Sequence, residues 1–341
     1  MPYKISFPTH VTSSLDTDGC SFRWALLRIF NLRQPQVFQR DLDFGGAFAE
    51  SLYLARKGYY IEQLSQEDAE EKAFDYVDET FAPYFHKAMA LRAKLGKEPE
   101  KVKTPERLNS LLEKYWRKYP FSKEEIAPFL LNDSISAEQA LHMPLLDGVT
   151  LSIKPDMLAV ERDHSTALDE KTVGNYAKET NWPEYVYMLR PQFLLYTKGV
   201  NYLIAKGELE IPKLTTFEVR RGIINPSLSA AKDFCQTIKY ILEPRLYETY
   251  FKDFQFNVAK KLRRFEDFYR AYDIEKLTAS DIIALAQETI EKFFPKNYHE
   301  CYMYGRPCEL IEHCSVGRSL KVLGFKPSKI NTVTKEVEFF D

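Results

Sequence analysis

The sequence predicts an α/β protein, because segments with strand character lie beside segments with helical periodicity. Residues 150–160 are rich in apolar and β-branched side chains, and residues 166–172 form a second such segment after the polar turn 161–165. Residues 66–129 are charged and strongly helical. A strand pair beside long helices is typical of a chain that packs helices against a sheet.

Helices dominate the part of the chain before this strand pair. Residues 21–32 and 44–57 have the apolar spacing of helices, and residues 66–129 look like a helical insertion. Residues 138–145 then begin the β-rich part. Asp147–Gly148 predicts a hairpin turn that leads into the strand beginning near Leu151.

The second half of the chain is predicted to alternate between strands and helices. Residues 202–205 and 215–223 have strand composition, whereas residues 228–251 and 279–294 have the periodicity of long helices. A chain of 341 residues can bury one large core or two modest ones.

Two carboxylates and one lysine are predicted to converge on the strand pair. If the strands pair, Asp156 and Asp169 meet near one end of the hairpin. Asp169 and Lys171 share a face, while Glu170 points away. Close carboxylates repel each other unless a cation lies between them, and oxygen ligands suit Mg²⁺ or Mn²⁺. A lysine beside such a metal suits the hydrolysis of a phosphodiester.

These residues also resemble a known signature. Pro155–Asp156 followed by Asp169-Glu170-Lys171 resembles the motif of the PD-(D/E)XK nuclease superfamily. Gln192 and Tyr196 resemble the Q-x-x-x-Y helix of its RecB-like branch, and residues four apart lie on one helical face. The resemblance implies a restriction-endonuclease-like core, with a central mixed sheet flanked by helices. It also implies that the glutamine–tyrosine pair lies beside the active site and positions DNA.

The resemblance assigns a role to each residue of the strand pair. It implies that Asp156, Asp169 and the main-chain carbonyl of Glu170 bind Mg²⁺ or Mn²⁺, and that Lys171 serves the attacking water. The expected activity is a metal-dependent deoxyribonuclease. Exonuclease action is favoured over sequence-specific cutting, because no separate recognition module is evident.

A further metal ligand is expected on the helix of residues 44–57. Phe44–Leu52 resembles the glycine-led helix start that often carries a metal-binding histidine in RecB-like nucleases. Ala49 occupies the histidine position here, so the resemblance implies that Glu50 supplies the ligand instead.

Four of the five cysteines predict a second metal site. Cys301, Cys308 and Cys314 cluster downstream and Cys20 lies far upstream, which together give enough thiolates for an iron–sulfur cluster or a tetrahedral zinc. Several RecB-like nucleases hold a 4Fe-4S cluster with one cysteine before the core and three after it. The order matches, although the family opens the trio with C-x-x-C and this chain does not. Zn²⁺ and reduced, buried thiols are the alternatives, and Cys235 is expected on a helix face.

Each motif also has an alternative without function. In a chain that is 28% charged, an acid-x-lysine triplet is common on a solvated strand edge. Gln192 and Tyr196 could be ordinary positions of an amphipathic helix. The rival classes are a catalytically inactive DNA-binding or assembly module with the same fold, and a metal protein whose acidic strand lies on the surface. The ordered combination of the motifs favours the nuclease.

Charge and hydropathy limit the partners. The net charge of −2 gives no overall argument for nucleic acid, so any DNA contact depends on local basic segments. Lys101–Lys103, Lys114–Lys123 with its aromatic residues, and Lys260–Arg264 could contact phosphates, or they could be solvated helix faces.

The sequence predicts an intracellular, cytoplasmic protein without a membrane segment, because a basic leader and a long apolar stretch are absent. No Walker motif occurs, so ATP-driven unwinding would need a helicase or recombination partner.

The predicted organisation is a single nuclease domain over residues 1–341. Residues 1–60 would form N-terminal helices with the first cysteine, and residues 61–135 the helical insertion. Residues 136–225 would form the catalytic core, and residues 226–341 a helical C-terminal region closed by the four-cysteine site.

Overall fold

The protein is described here by a computed structural model. It covers residues 10–11, 20–34, 40–94, 96, 98–123, 126–131, 134–161, 163–173, 190–224, 235–273, 277–278, 281, 283–285, 290–303, 306–330 and 337–339.

The chain divides into two units. The sheet unit comprises Val37–Met143 and Ile153–Glu248, and the terminal unit comprises Met1–Gln36, Pro144–Ser152 and Thr249–Asp341. Within the described ranges, no helix combines the length and the apolar composition that crossing a membrane requires.

The described helices are α1 (Ser21–Trp24), α2 (Arg40–Tyr60), α3 (Gln66–Tyr76), α4 (Ala82–Lys94), α5 (Pro105–Lys118), α6 (Pro191–Ala205), α7 (Pro244–Ala271), α8 (Ile290–Phe293) and α9 (Ile311–Val316). Short π-helical turns continue α1 over Ala25–Ile29 and join α3 to α4 over Val77–Phe81.

The described strands are β1 (His10–Val11), β2 (Leu32–Arg33), β3 (Leu130–Leu131), β4 (Ser134–Ile135), β5 (Leu141–Leu146), β6 (Val149–Ile153), β7 (Met157–Glu161), β8 (His164–Val173), β9 (Leu214–Ile223), β10 (Cys235–Ile241), β11 (Tyr302–Met303), β12 (Arg306–Pro307), β13 (Lys326–Ile330) and β14 (Val337–Phe339).

A mixed sheet of order β10-β9-β8-β7 lies at the centre of the sheet unit. β8 pairs antiparallel with β7 and parallel with β9, and β9 pairs antiparallel with β10. Residues Ser165–Glu170 of β8 are all buried, which requires both faces of the strand to be covered. The predicted α/β class and mixed sheet are confirmed.

Helices cover the two faces of this sheet with different side chains. Phe193 of α6 packs against Phe217 and Tyr240, at ring-centroid distances of 5.0 and 6.3 Å. Arg56 of α2 and Tyr115 of α5 instead reach Glu170, which points to the opposite face.

The helical insertion is built by local capping and by an apolar face. Thr104 accepts a hydrogen bond from the Arg107 amide at the start of α5, with Pro105 at the first helical position. Ser65 caps α3 in the same way through the Asp68 amide. Buried aromatic side chains from α2 and α5 then form one cluster, among them Phe44, Phe48, Tyr115 and Trp116. The helix predicted over 44–57 is therefore confirmed, and within the helical region predicted over 66–129, residues 66–94 and 105–118 are helical. The described residues 126–129 are not helical, and Pro128 forms a β-bridge with Ala159 instead.

The strand predicted over residues 150–160 is two strands in two sheets. β6 ends at Ile153 and β7 begins at Met157. Pro155 has no amide hydrogen to donate to a strand ladder, so the chain leaves one sheet here and enters the next. The predicted hairpin turn before β6 is confirmed, and Gly148 adopts the positive φ of 73° that such a turn needs.

Two other element predictions are wrong. Residues 202–205, predicted as a strand, are the last turn of α6, because a short apolar run does not distinguish a strand from a buried helix. The helix predicted over 228–251 is replaced by β10, and α7 begins only at Pro244. Residues 225–234 lie outside the described chain. Buried and exposed side chains alternate along β10, a period of two that indicates a strand.

The terminal unit joins the two ends of the described chain. β13 pairs antiparallel with β2, with Lys326 opposite Arg33. Phe30 packs edge-on against Phe268 at 5.4 Å, and Trp24 packs against Phe294 at 6.3 Å. Of the helix predicted over 279–294, α8 and residues 281 and 283–285 are helical. The remaining residues of that prediction before α8 lie outside the described chain.

Candidate active site

The register of the central strands places Asp156 and Asp169 side by side. Met157 pairs with Leu168 across the hairpin, which leaves the two aspartates adjacent at the end of the strand pair. The Glu170 amide donates a hydrogen bond of 2.6 Å to Oδ2 of Asp156. The two carboxylates predicted from the sequence therefore meet.

Asp169 is fully buried and has one oxygen without a hydrogen-bond donor. Lys171 Nζ lies 2.8 Å from both carboxylate oxygens but has hydrogen-bond geometry only toward Oδ1. Among the described residues, Oδ2 of Asp169 accepts no hydrogen bond. A buried carboxylate oxygen without a donor is costly unless a cation or a proton neutralises it. The Lys171 side chain is 28% exposed, so this site is open to solvent on the lysine side.

The pKa values of both aspartates are raised, mainly by burial. Burial raises the pKa of Asp156 to about 6, with a further increase from Glu138, although the Lys171 charge opposes both. Burial raises the pKa of Asp169 to about 7, where the Asp156 charge adds to the effect and Lys171 again opposes it. Burial alone would lower the pKa of Lys171, but the two carboxylates raise it above its ordinary value. Lys171 is therefore a cation at neutral pH.

These shifts predict how the stability of the metal-free protein depends on pH. A carboxyl whose pKa is higher in the folded state binds protons more tightly there, so stability falls as pH rises from the ordinary value near 3.8 through about 7. We expect a melting temperature in EDTA that falls between pH 5 and pH 8 more steeply for the parent than for Asp169→Asn. Equal slopes in the two proteins would contradict the raised pKa of Asp169.

Gln192 and Tyr196 lie one turn apart on α6, as the sequence predicts. Gln192 Nε2 donates a hydrogen bond of 2.8 Å to the Tyr196 hydroxyl. Burial raises the pKa of Tyr196, and the charges of Asp156 and Asp169 raise it further. The hydroxyl therefore stays protonated and lies within electrostatic reach of both carboxylates.

Two charged residues near the carboxylates were not predicted. Arg190, immediately before α6, lowers the pKa of Asp169 through its charge. The Glu138 amide donates a 3.1 Å hydrogen bond to the Asp156 carbonyl, and its carboxylate pairs with Lys154. Glu138 has a φ of 54°, a left-handed conformation that is costly for a residue with a side chain. Sequence spacing gives no indication of Glu138, because Ala137 reaches the site through an isolated bridge to Met157.

Glu170 makes its side-chain contacts on the other face of the sheet. Arg56 Nη1 and Nη2 each donate a 2.8 Å hydrogen bond to its carboxylate, and the Tyr115 hydroxyl donates another. Burial opposes ionisation, but Arg56 holds the pKa of Glu170 below its ordinary value. The sequence prediction that this side chain points away from Asp169 is confirmed. Its main-chain carbonyl stays a predicted ligand.

Glu50 lies on α2, where its charge raises the pKa of Tyr76 in addition to the larger effect of burial. Among the described residues, no hydrogen bond or ion pair joins Glu50 to Asp156, Asp169 or Lys171. Its role as a metal ligand stays a prediction.

The four cysteines predicted as ligands lie in the terminal unit and interact electrostatically. Burial raises the pKa of Cys314 to about 11, and the charges of Cys20, Cys308 and Cys301 raise it as well, against the effect of a nearby lysine. Main-chain amides donate to two of the sulfurs, at 3.4 Å for Cys20 and 3.5 Å for Cys308. Amide donors of this kind accompany thiolate ligands in metal sites.

The side-chain positions do not by themselves define a metal centre. In the part of the chain that the structure describes, no group of three or more His, Cys, Asp or Glu side chains is arranged to hold a metal ion. All five cysteines are free. Cys235 lies in β10 rather than on a helix face, and burial raises the pKa of its thiol to about 11.

Comparison with known proteins gives distant structural likenesses. No family model matches the chain, and no curated protein matches it. The alkaline exonuclease LHK-Exo in complex with dAMP is 12% identical, with a TM-score of 0.29 over 66% of this chain and 96% of its own. A second structure of that enzyme, from Laribacter hongkongensis, is 10% identical, with a TM-score of 0.27 over 66% and 98%.

A candidate exonuclease from Eubacterium rectale is 12% identical, with a TM-score of 0.29 over 67% of this chain and 86% of its own. These TM-scores and identities do not define the family of the chain. The fold and the site define a mixed α/β protein with two adjacent carboxylates and a lysine at the end of a central strand pair.

Proposed function

We propose that the chain is a metal-dependent deoxyribonuclease of the PD-(D/E)XK type, RecB-like branch, and that it digests DNA from its ends. The observation that supports this most strongly is Asp169. It is buried beside Asp156, both of its carboxylate oxygens lie 2.8 Å from Lys171 Nζ, and only one of them accepts a hydrogen bond from a described residue. Two adjacent carboxylates with raised pKa values, one of them fully buried, suit Mg²⁺ or Mn²⁺.

Asp156, Asp169 and the Glu170 carbonyl would hold the metal, with Glu50 as a further ligand from α2. A bound divalent ion would supply an activated water and neutralise charge that develops on the phosphoryl group. The protein residues bind and orient the reactants around it.

Lys171 acts as a cationic donor in this proposal. Because its pKa is raised, it carries a proton at neutral pH and can donate hydrogen bonds to the attacking water and to a phosphate oxygen. The neutral Tyr196 hydroxyl and the Gln192 amide would position the strand, and the charge of Arg190 would attract its phosphates.

The experiment that tests the activity is cleavage of end-labelled single- and double-stranded DNA, with Mg²⁺, Mn²⁺ or EDTA. A covalently closed circle of the same sequence is included as a substrate without ends. Metal-dependent loss of the linear substrates with the circle intact supports an exonuclease. Cleavage of the circle would show an endonuclease instead of an exonuclease. DNA binding without cleavage would favour the inactive DNA-binding module.

The four cysteines of the terminal unit are proposed to hold a structural 4Fe-4S cluster, with Zn²⁺ as the alternative. Electrostatic coupling of the four thiols and the amide donors at two sulfurs support this assignment. The cluster would tie the first described helix to the C-terminal segment.

We expect Cys308→Ser to lose the cofactor and to lower the melting temperature, because the thiolate is replaced by a weak ligand. Iron, sulfide and zinc content of anaerobically purified protein measure the loss, with Cys235→Ser as the control that keeps all four proposed ligands. If the parent protein contained no iron, sulfide or zinc, the proposed four-cysteine metal site would be refuted. Parent-like metal content in Cys308→Ser would show that Cys308 is not a ligand.

A further inference from the structure

The end of α5 and the strands β9 and β10 line a cavity of about 340 Å³ in the sheet unit. Glu218 and Arg220 of β9 line it, and Arg220 lies opposite Glu170 in the strand register. Asp169 lies opposite Val219 instead. Since side chains alternate along a strand, the cavity is on the sheet face opposite the carboxylate site.

The lining of this cavity is strongly basic. It contains one carboxylate, Glu218, and four cationic side chains, namely Arg117, Lys118, Lys123 and Arg220. The formal charge of the lining is therefore +3, in a chain whose net charge is −2. Like charges held this close repel each other, so the cavity favours an anionic occupant.

Part of the lining is held in place by its neighbours. Arg220 Nε donates a 2.7 Å hydrogen bond to Glu218, and its Nη1 donates a 3.1 Å bond to the buried Tyr115 hydroxyl. Its guanidinium stacks on the Tyr119 ring at 4.2 Å. The Tyr119 hydroxyl is in turn 2.6 Å from the Thr237 hydroxyl. These contacts orient a planar cation and an aromatic ring before any ligand binds, which lowers the cost of binding.

Two of the cationic side chains that line the cavity are exposed to solvent and have no polar contacts with other described residues. Arg117 and Lys123 are exposed, and the side chain of neither makes a hydrogen bond or ion pair to another described residue. They lie within the basic segment of residues 114–123 that the sequence marks as a solvated face or a phosphate contact. The cavity supplies a concave site for the second of these two roles.

We propose that this cavity binds the phosphate group of one nucleotide, either a free mononucleotide or the end of a single strand. The volume is at the lower end of small-molecule sites, which suits one nucleotide and excludes a duplex. Guanidinium and ammonium groups converging on a small cavity are the donors that recognise phosphate. The proposal goes beyond the nuclease assignment, because binding here requires neither the carboxylates nor a metal.

Isothermal titration calorimetry of the full chain in EDTA tests the proposal. The probes are thymidine 5′-monophosphate, 5′-phosphorylated pentathymidylate, inorganic phosphate and thymidine. The variant Arg117→Ala/Lys123→Ala removes two cavity cations, and the matched control Lys87→Ala/Arg107→Ala removes two exposed cations outside the cavity. All four positions are exposed, so parent-like melting temperatures are expected for both variants.

We expect the phosphorylated probes to bind the parent and the control alike, and to bind the cavity variant about tenfold more weakly or worse. Tighter binding of the pentanucleotide identifies a strand end as the source, and equal binding of the monophosphate identifies a free nucleotide. If inorganic phosphate binds as tightly as the monophosphate, the phosphate group alone is recognised. Absence of binding, equal loss in both variants, or thymidine binding as tightly as the monophosphate would each overturn the proposal.

Discussion

Replacement of Asp169 by asparagine is expected to reduce DNA cleavage by about 10³-fold or more, because it removes the central charge of the proposed metal site. Asparagine has nearly the same shape, so the buried position stays filled. It also removes a buried charge that is only partly neutralised by Lys171. We therefore expect the variant to keep or increase its melting temperature in EDTA while it loses activity. Single-turnover cleavage of end-labelled DNA and thermal unfolding measure the two effects.

Asp163→Asn is the matched control for this change. Asp163 lies on the turn of the same hairpin, and its side chain is 93% exposed. It should cleave at the parental rate. Lys171→Ala is expected to lose cleavage as well, since it removes the cationic donor. Parental rates in Asp169→Asn or Lys171→Ala would refute the proposed site, even if the chain proved to be a nuclease.

Replacement of Arg56 by methionine is expected to destabilise the protein by about 3–5 kcal/mol, the cost of leaving a buried carboxylate without its partner. Arg56 is 1% exposed and Glu170 is 7% exposed, and two hydrogen bonds of 2.8 Å join them. The Tyr115 hydroxyl and the charge of Arg220 would remain near the unpaired carboxylate. Urea unfolding monitored by circular dichroism gives the change in free energy.

Arg107→Met controls for loss of an arginine at an exposed helical position, and its effect on stability should be below about 0.5 kcal/mol. The double variant Arg56→Met/Glu170→Leu removes both charges of the buried pair. It should be less destabilised than the sum of the single variants, since replacing both partners avoids the unpaired charge. An additive double variant would show that the pair is not energetically coupled.

The two faces of strand β8 carry different groups of residues: one face carries the proposed catalytic residues, and the other carries a buried network that supports the fold. Asp169 and Lys171 face one side with α6, while Glu170 faces the network of α2 and α5. The main chain of Glu170 also contributes to the carboxylate site, because its amide donates a hydrogen bond to the Asp156 carboxylate. A change that moves Glu170 is therefore expected to affect the carboxylate pair through this main-chain hydrogen bond.

Local sequence patterns were sufficient to predict the carboxylate–lysine site. Because Asp169 and Lys171 are two residues apart on one strand, their side chains share a face. The length of the hairpin turn places Asp156 opposite Asp169 on the neighbouring strand. The spacing of four on a helix likewise joins Gln192 to Tyr196. These relations depend on backbone geometry within one element or one hairpin, so they are determined before the chain folds around them.

The predictions that were wrong concern segments whose local pattern is compatible with two structures. The apolar run 202–205 suits a strand as well as the buried end of α6, and tertiary packing selects the helix. In the segment 228–251, residues 235–241 pair with β9 as strand β10, and the predicted helix begins only at Pro244. Local propensity is a weak preference that a few ladder hydrogen bonds and buried side chains can reverse.

The sequence by itself determined that the two aspartates and the lysine converge and that the glutamine and the tyrosine share a helical face. Each of these relations spans only one strand pair or one helical turn. Tertiary structure alone decided that Glu138 and Arg190 lie within electrostatic reach of the carboxylates. It alone also decided that Glu170 pairs with Arg56, and that the basic end of α5 closes a cavity with β9. Charges distant in sequence become neighbours only when the sheet and its helices pack, and burial then makes their interactions strong enough to shift pKa values and to bind ions.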